Sequence, residues 1–296
     1  MNSVLEVLKN RRVLVADGAM GTMLFERGLN PGECPERWNL ERADVLEEIA
    51  RLYLQAGAEI IQTNTFGGSA LKLAQYGLDG QTEAINAAAV RAVRKAVGER
   101  AIVSGSCGPC GRLLEPYGDI APDEVAASFR RQMTALVEAG VDQLCIETMI
   151  DLAEAVIAIE TAREIAPSIP IVATMTFDPT PRGFFTVMGT TIEQAAAGLA
   201  ESGADIIGSN CGNGIEDMVK IASEFANHTD RAIIIQSNAG LPQVVDGQAV
   251  YSETPEFMAS HVPTLIDSGV RIIGGCCGTT PAHITAIRDA VAAHSG

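Results

Sequence analysis

The stretch "VRIIGGCC" (270–277) decides the fold, because it is the eighth of its kind. In each case a short β-branched apolar run ends in small or polar residues, and most of the runs lead into an Ala-, Leu- and Glu-rich segment. The seven earlier runs are "RVLVADG" (12–18), "AEIIQTN" (58–64), "AIVSGS" (101–106), "DQLCIET" (142–148), "PIVATMTF" (170–177), "ADIIGSNC" (204–211) and "AIIIQSNAG" (232–240). Helices are predicted at 44–56, 82–97, 122–139, 151–166, 191–202, 215–226, 255–267 and 281–292. In the first, Val45, Ile49, Leu52 and Tyr53 recur at helical spacing. Continuous apolar strands are buried on both faces, as in a parallel sheet. The segments "QAGAE", "EAGVD", "ESGAD" and "DSGVR" place glycine where a helix ends before the next strand. Eight strand–helix units with none left over predict a single (β/α)8 barrel across residues 1–296. An open doubly wound sheet would need fewer strands or a break in the repeat.

In such barrels the active site forms at the C-terminal ends of the strands. Those ends carry Asp17, Asn64, Ser106 with Cys107, Glu147, Asp178, Asn210 with Cys211, Asn238, and Cys276 with Cys277. Adjacent cysteines do not readily bridge each other, so Cys276 and Cys277 must serve some purpose besides a mutual disulfide. The sixth and eighth strands flank the seventh, and this lets Cys211, Cys276 and Cys277 approach one point with Asn238 between them. Three thiolates suit zinc and leave one tetrahedral position open, the pattern of a catalytic site. The plainer alternative is three buried apolar cysteines. For both cysteines of "GGCC" to face one ion, the strand must end by Cys276, and the glycines are expected to permit an unusual backbone there.

Cys107-Gly-Pro-Cys110 matches a thiol–disulfide redox motif. It leads into a loop, "RLLEPYGDIAP", instead of a helix, so a plain loop pair is the expectation and an oxidoreductase the remote alternative. His283 is expected in the first turn of the last helix, after Thr280 as N-cap and Pro281. The formal net charge of −16 argues against nucleic-acid binding, which needs clustered Lys and Arg. No apolar run has the length of a membrane helix and no leader is evident. The cytoplasm is therefore the expected compartment, with the seven cysteines reduced or metal-bound.

The segments "DGAMGT" (17–22), "TNTFG" (63–67), "GP" (108–109), "ET" (147–148), "MTFD" (175–178), "SNC" (209–211), "SNAG" (237–240) and "GGCCGTTPAHI" (274–284) resemble the zinc-dependent homocysteine S-methyltransferases. The resemblance runs from about Arg12 to Ala292, and "GGCCG" with an upstream "NC" is its most specific part. It implies a (β/α)8 barrel that makes methionine, with Cys211, Cys276 and Cys277 as zinc ligands. Asp17 and Glu147 would hold the homocysteine ammonium, with Asn64 nearby. Backbone amides of Gly18, Ala19, Met20, Gly21 and Thr22 would receive the carboxylate, a role that suits glycine-rich backbone at a helix start. The substrate thiol would take the open zinc position as a thiolate, and before it arrives water or the Asn238 oxygen would fill that place.

Three methyl donors occur among such enzymes: a methylated corrinoid protein, a betaine, and a sulfonium such as S-methylmethionine. A cationic donor favours an aromatic cage, and Trp38, Phe66, Tyr76 and Phe177 do not cluster in the sequence. The stretches "PERWNL" (35–40), "GRLLEPYGD" (111–119), "MTFDPTPRG" (175–183) and "QSNAGLPQVVDGQAVY" (236–251) look most like the homocysteine module of cobalamin-dependent methionine synthases. Methylcobalamin on a partner protein or a further domain is therefore the expected donor, and the chain is either an excised module or a free-standing enzyme.

Overall fold

The computed structural model describes residues 3–10, 13–245 and 248–294. Arg12, where the first run was expected to begin, and Asp246 and Gly247 of "QSNAGLPQVVDGQAVY" lie outside them. Eight strands form one all-parallel sheet: β1 (Leu14–Val15), β2 (Ile60–Gln62), β3 (Ile102–Cys107), β4 (Gln143–Met149), β5 (Ile171–Met175), β6 (Ile206–Asn210), β7 (Ala232–Ser237) and β8 (Val270–Gly275). Each pairs with its neighbour in chain order, and β8 pairs with β1 through Leu14↔Ile272 and Val15↔Ile273. The barrel closes between β1 and β2 by a parallel bridge, Ala16↔Ile60, with Glu59 N–H donating to Val15 C=O at 2.8 Å and Asp17 N–H to Ile60 C=O at 3.0 Å. The predicted (β/α)8 barrel is the observed architecture.

Burial explains the closure. Leu14, Ile60, Ile102, Cys145, Val172, Ile206, Ile234 and Ile272 point inward near the strand starts and form one buried cluster. Val4 and Leu8 of the helix Val4–Asn10 join that cluster. The short leading helix therefore plugs the N-terminal end of the barrel, and each buried aliphatic side chain contributes about 1.5–3 kcal/mol. The opposite end stays polar.

The outer helices that follow the strands begin with α1 (Ala43–Ala56), α2 (Thr82–Val97), α3 (Pro122–Glu138), α4 (Leu152–Ile165), α5 (Ile192–Glu201) and α6 (Ile215–His228). Gly57, Gly140, Gly203 and Gly269, the four glycines of the helix-ending segments, all adopt left-handed φ between 93° and 106°. Thr191 caps α5 in a reciprocal box with Gln194. The predicted helix 255–267 is two pieces, α7 (Pro255–Ser260) and α8 (Val262–Asp267). Pro263 has no N–H to donate and its ring crowds the carbonyl four residues back, so the chain breaks at His261. The last helix is α9 (Pro281–His294). Two small hairpins stand in the loops after β5 and β7: Asp178–Thr180 with Gly183–Phe185, and Gln243–Val245 with Gln248–Val250. No helix among the described residues is long and apolar enough to cross a membrane.

Candidate active site

At the C-terminal end of the barrel lies a cavity of about 380 Å³. Its wall includes the Gly18–Thr22 loop, Gln62, Asn64, Phe66, Ser106, Glu147, Gln236 and the three cysteines Cys211, Cys276 and Cys277. The three Sγ atoms lie within 4.8 Å of one another, and Cys211 Sγ is 3.7 Å from Cys277 Sγ. A tetrahedral ion with metal–sulfur bonds of about 2.3 Å requires sulfurs about 3.8 Å apart. The Cys211–Cys277 pair stands at that spacing, and Cys276 lies close enough to be the third ligand of one ion.

Local backbone geometry brings them there. Strand β8 ends at Gly275, one residue before the first cysteine, as its two-cysteine ending requires. Cys276 N–H donates to Ser237 C=O at 2.7 Å, and Thr279 N–H returns to Cys276 C=O at 3.1 Å. The chain turns between those two bonds, with Gly278 in the left-handed region at φ 79°. Gly274 and Gly275 serve a different purpose from the one expected. Neither is left-handed. A Cβ on Gly274 would lie 2.8 Å from the Ala16 Cβ, and one on Gly275 would lie 2.3 Å from Thr279 Oγ1. Gly274 allows close approach to the chain just past β1, Gly275 lets the cysteine loop fold back on Thr279, and the unusual backbone falls at Gly278 instead. Cys211 itself has φ 60°, rare for a residue with a side chain.

Glu147 stands across β4 with its side chain fixed at both oxygens. Ser106 Oγ donates to Oε1 in a short bond, and Asn210 Nδ2 donates to Oε2 at 3.2 Å. Burial pushes the Glu147 carboxyl up to about 7, against the opposing Ser106 bond. Asn210 also takes Thr148 N–H on its Oδ1 at 2.8 Å and meets Thr148 Oγ1 at 2.7 Å. This clamp holds Thr148, a β-branched residue, at φ 59°. Asp17 is buried behind the wall, where Oδ2 accepts Gln62 N–H at 2.8 Å. Burial raises its carboxyl to about 8, with the Gln62 amide opposing and Glu147 adding to the rise. The three thiols share hydrogen bonds, and those from Cys211 and Cys276 favour a thiolate at Cys277.

The homocysteine S-methyltransferase model matches residues 14–291. The chain belongs to that family. Its members are enzymes that methylate homocysteine, and the match covers nearly the whole barrel. Methionine synthases from Mycobacterium tuberculosis and Mycobacterium leprae are each 31% identical over 98% and 95% of the chain. The chain spans only about a quarter of their length (25% and 24%). The metallated form of the homocysteine methyltransferase MmuM from Escherichia coli superposes with a TM-score of 0.78 at 26% identity, over 97% of this chain and 99% of that one.

The residues implied by the family resemblance fall into groups. Cys211, Cys276, Cys277, Glu147 and the backbone of Gly18, Ala19, Met20, Gly21 and Thr22 converge on the cavity. Asp17 and Asn238 are buried but do not line it. Asn64 lines it, yet its amide nitrogen is engaged with Pro35 C=O at 2.8 Å and Asn39 Oδ1 at 2.9 Å. Asp178 is exposed on a hairpin. Of the four aromatic residues considered for a cage, only Phe66 reaches the wall. Phe177 packs edge-on against Phe225, Trp38 is buried under Arg42, and Tyr76 lines a separate cleft. Cys107 and Cys110 are buried, and burial raises both thiols, Cys110 to about 12. A reactive redox thiol needs the opposite shift.

Several residues have roles that the sequence does not signal. Tyr53 belongs to the apolar face of α1 by its spacing alone. In the fold it sends its hydroxyl to Ala19 C=O at 2.9 Å and lies 3.3 Å from Thr279 C=O. Thr279 Oγ1 in turn accepts Ala19 N–H at 3.1 Å, and Thr22 Oγ1 accepts Gly278 N–H at 3.1 Å. The loop after β1 and the loop after β8 are therefore tied together. A tyrosine at a helix position carries no local sign of such a partner. Gln236 and Gln62 line the cavity, and the burial of Gln236 with no partner for Oε1 among the described residues is equally silent in sequence.

Proposed function

We propose that this chain, as one homocysteine-binding barrel module over residues 1–296, methylates the thiol of homocysteine to give methionine at a zinc ion held by Cys211, Cys276 and Cys277. The methyl donor in this reading is a methylated corrinoid protein or domain. The observation that carries it is the set of three thiols within 4.8 Å of one another on the wall of a cavity that also holds a buried carboxylate.

Bound zinc supplies Lewis acidity that keeps a substrate thiol ionised at neutral pH. The rest falls to the chain. Glu147, aimed by Ser106 and Asn210, accepts from the substrate ammonium. Asp17 stands behind the wall, where burial favours its neutral form, and becomes a second anion only when a cation such as the ammonium enters beside it. Met20, Gly21 and Thr22, in the first turn of a helix, line the cavity, and their backbone N–H groups would suit the carboxylate. Before substrate enters, water or Asn238, whose buried Oδ1 has no partner among the described residues but which does not line the cavity, would complete the ligand set. In the transfer the thiolate lone pair forms the S–CH3 bond while the donor–carbon bond breaks, its electron pair staying with the donor.

A macromolecular donor is supported by the barrel rim. Phe66, Leu113, Tyr117, Val187 and Leu241 sit in loops that follow β2, β3, β5 and β7, and all are exposed. Scattered apolar side chains are ordinary, but five in the loops of one barrel end suit docking of a second protein over the cavity. The likeness to methionine synthases agrees with this. Among the described residues that line the cavity, a betaine or sulfonium donor finds only Phe66 as an aromatic face.

Assays of the purified chain with methylcobalamin, betaine and S-methylmethionine separate the donors. Methionine from methylcobalamin is expected, and turnover only with a sulfonium sinks the corrinoid reading. About one zinc per chain is expected in the native protein and none in Cys211→Ala or Cys277→Ala, since a tetrahedral site does not survive on two ligands. Equal zinc in all three breaks the metal assignment.

A further inference from the structure

The three cysteines come from two loops about 65 residues apart in sequence (Cys211 against Cys276 and Cys277), and a third loop stands between them. Glu253, in the segment after the second hairpin, touches all three. Its Oε2 accepts Ile215 N–H at 3.0 Å, at the start of α6 and four residues past Cys211. Its own N–H donates to Ala239 C=O at 2.9 Å, and Ala239 N–H donates to Cys277 C=O at 3.0 Å. Its C=O receives His283 Nε2 at 3.0 Å, six residues past Cys277. The imidazole tautomer is fixed by its other side. Thr280 N–H can only donate, and it points at Nδ1 from 3.1 Å, so Nδ1 accepts and Nε2 carries the hydrogen. Thr280 Oγ1 stands 3.0 Å from the same Nδ1.

Packing makes room for Glu253 at the start of α6. A Cβ on Gly214 would lie 2.1 Å from Glu253 Oε1, so the glycine at the N-cap of α6 leaves room for the carboxylate. A carboxylate at that helix start is also electrostatically favoured.

We propose that Glu253 and His283 form a brace that sets the separation of Cys211 from the Cys276–Cys277 pair, making them positioning residues for the metal centre. Neither lines the cavity. The inference rests on the zinc reading above. It assigns His283, otherwise an ordinary first-turn helix residue, a partner in a loop 30 residues away. Outer-shell groups of this kind typically change metal affinity by about tenfold to hundredfold when removed.

The test measures zinc affinity of the full chain by competition with a chromophoric chelator. It also records the visible absorption bands of the cobalt(II)-substituted protein, which report ligand geometry. Glu253→Ala is expected to bind zinc about tenfold to hundredfold more weakly and to shift the cobalt bands. Glu253→Gln, whose amide oxygen still accepts from Ile215, is expected to restore most of the affinity. His283→Ala tests the other arm, and serves if Glu253→Ala does not fold. Zinc affinity and cobalt bands unchanged in Glu253→Ala and His283→Ala overturn the brace. So does an affinity loss in Glu253→Ala that Glu253→Gln fails to restore. Cys211→Ala is the control that separates this from the zinc reading. Wild-type zinc binding in Cys211→Ala means the three-cysteine site itself is wrong. Lost binding there with normal binding in both brace variants means that only the brace is wrong.

Discussion

Replacing Glu147 by Gln should stabilise the metal-free, substrate-free protein at alkaline pH while damaging its use of homocysteine. The carboxyl is 7% exposed, and burial lifts its pKa from 4.5 to about 7. The folded state therefore holds a proton that the unfolded chain releases across that window. Because the folded state binds more protons there, stability falls as pH rises from 4.5 to 7. Each tenfold displacement of a protonation equilibrium is worth about 1.4 kcal/mol, so the ionised side chain costs the fold about 3 kcal/mol at about pH 8. A glutamine fits the same hydrogen bonds. Its oxygen accepts from Asn210 Nδ2, and its nitrogen donates to Ser106 Oγ, which can reverse its role. Urea unfolding of the two proteins, freed of metal by chelation, should give equal stability near pH 4 and an advantage of about 3 kcal/mol for the variant at about pH 8. Loss of a charged partner for the substrate ammonium should raise KM for homocysteine roughly tenfold to hundredfold. A stability difference that does not change between those two pH values would refute the reasoning. So would a variant that is less stable at the higher pH or binds homocysteine normally.

Two further substitutions test the site's boundary and the barrel's interior. Cys110→Ser should cost about 1 kcal/mol of stability, since a buried thiol is exchanged for a more polar group, and should leave methyl transfer unchanged; loss of activity there, with Cys276→Ser tolerated, would revive the thiol–disulfide alternative. Gly208→Ala would put a Cβ 1.9 Å from Ile234 C=O, where backbone must move, so a loss of about 3 kcal/mol or more is expected in denaturant unfolding. Wild-type stability in that variant would contradict the tight β6–β7 packing.

The repeat is legible in the sequence because each unit carries its own punctuation. A buried parallel strand is apolar on both faces, and the left-handed glycine after α1, α3, α5 and α8 is a local requirement visible one residue at a time. The cysteines are legible because three thiols at the ends of two strands that flank a third, on one barrel rim, suit a soft metal ion better than they suit an apolar core. What stays hidden depends on distant partners. The roles of Gly274 and Gly275 come from Ala16 and Thr279, and that of Tyr53 from Ala19. The hairpins after β5 and β7 have strands of three residues, too short for any period to register. The break at His261 is written in Pro263, but the apolar spacing continues through it and masks the boundary.

Strain and polarity collect at one end of the barrel for a common physical reason. The N-terminal end is sealed by Val4 and Leu8 over a layer of aliphatic side chains, so it can supply stability without chemistry. At the other end stand two carboxylates raised by burial, Asp17 and Glu147, and the two left-handed residues that are not glycine, Thr148 and Cys211, among those described. Left-handed backbone costs on the order of 1–3 kcal/mol per residue and persists only where surroundings over-determine it. Asn210 supplies that determination. Its one amide bonds Thr148 twice and Glu147 once, and the residue itself precedes Cys211 in the chain. The carboxylate proposed to hold the ammonium and the thiol proposed to hold the metal therefore share a single anchor. Asn210 thus ties the carboxylate on β4 to the residue that leads into Cys211, which suits a substrate whose amino group and sulfur must be gripped at once.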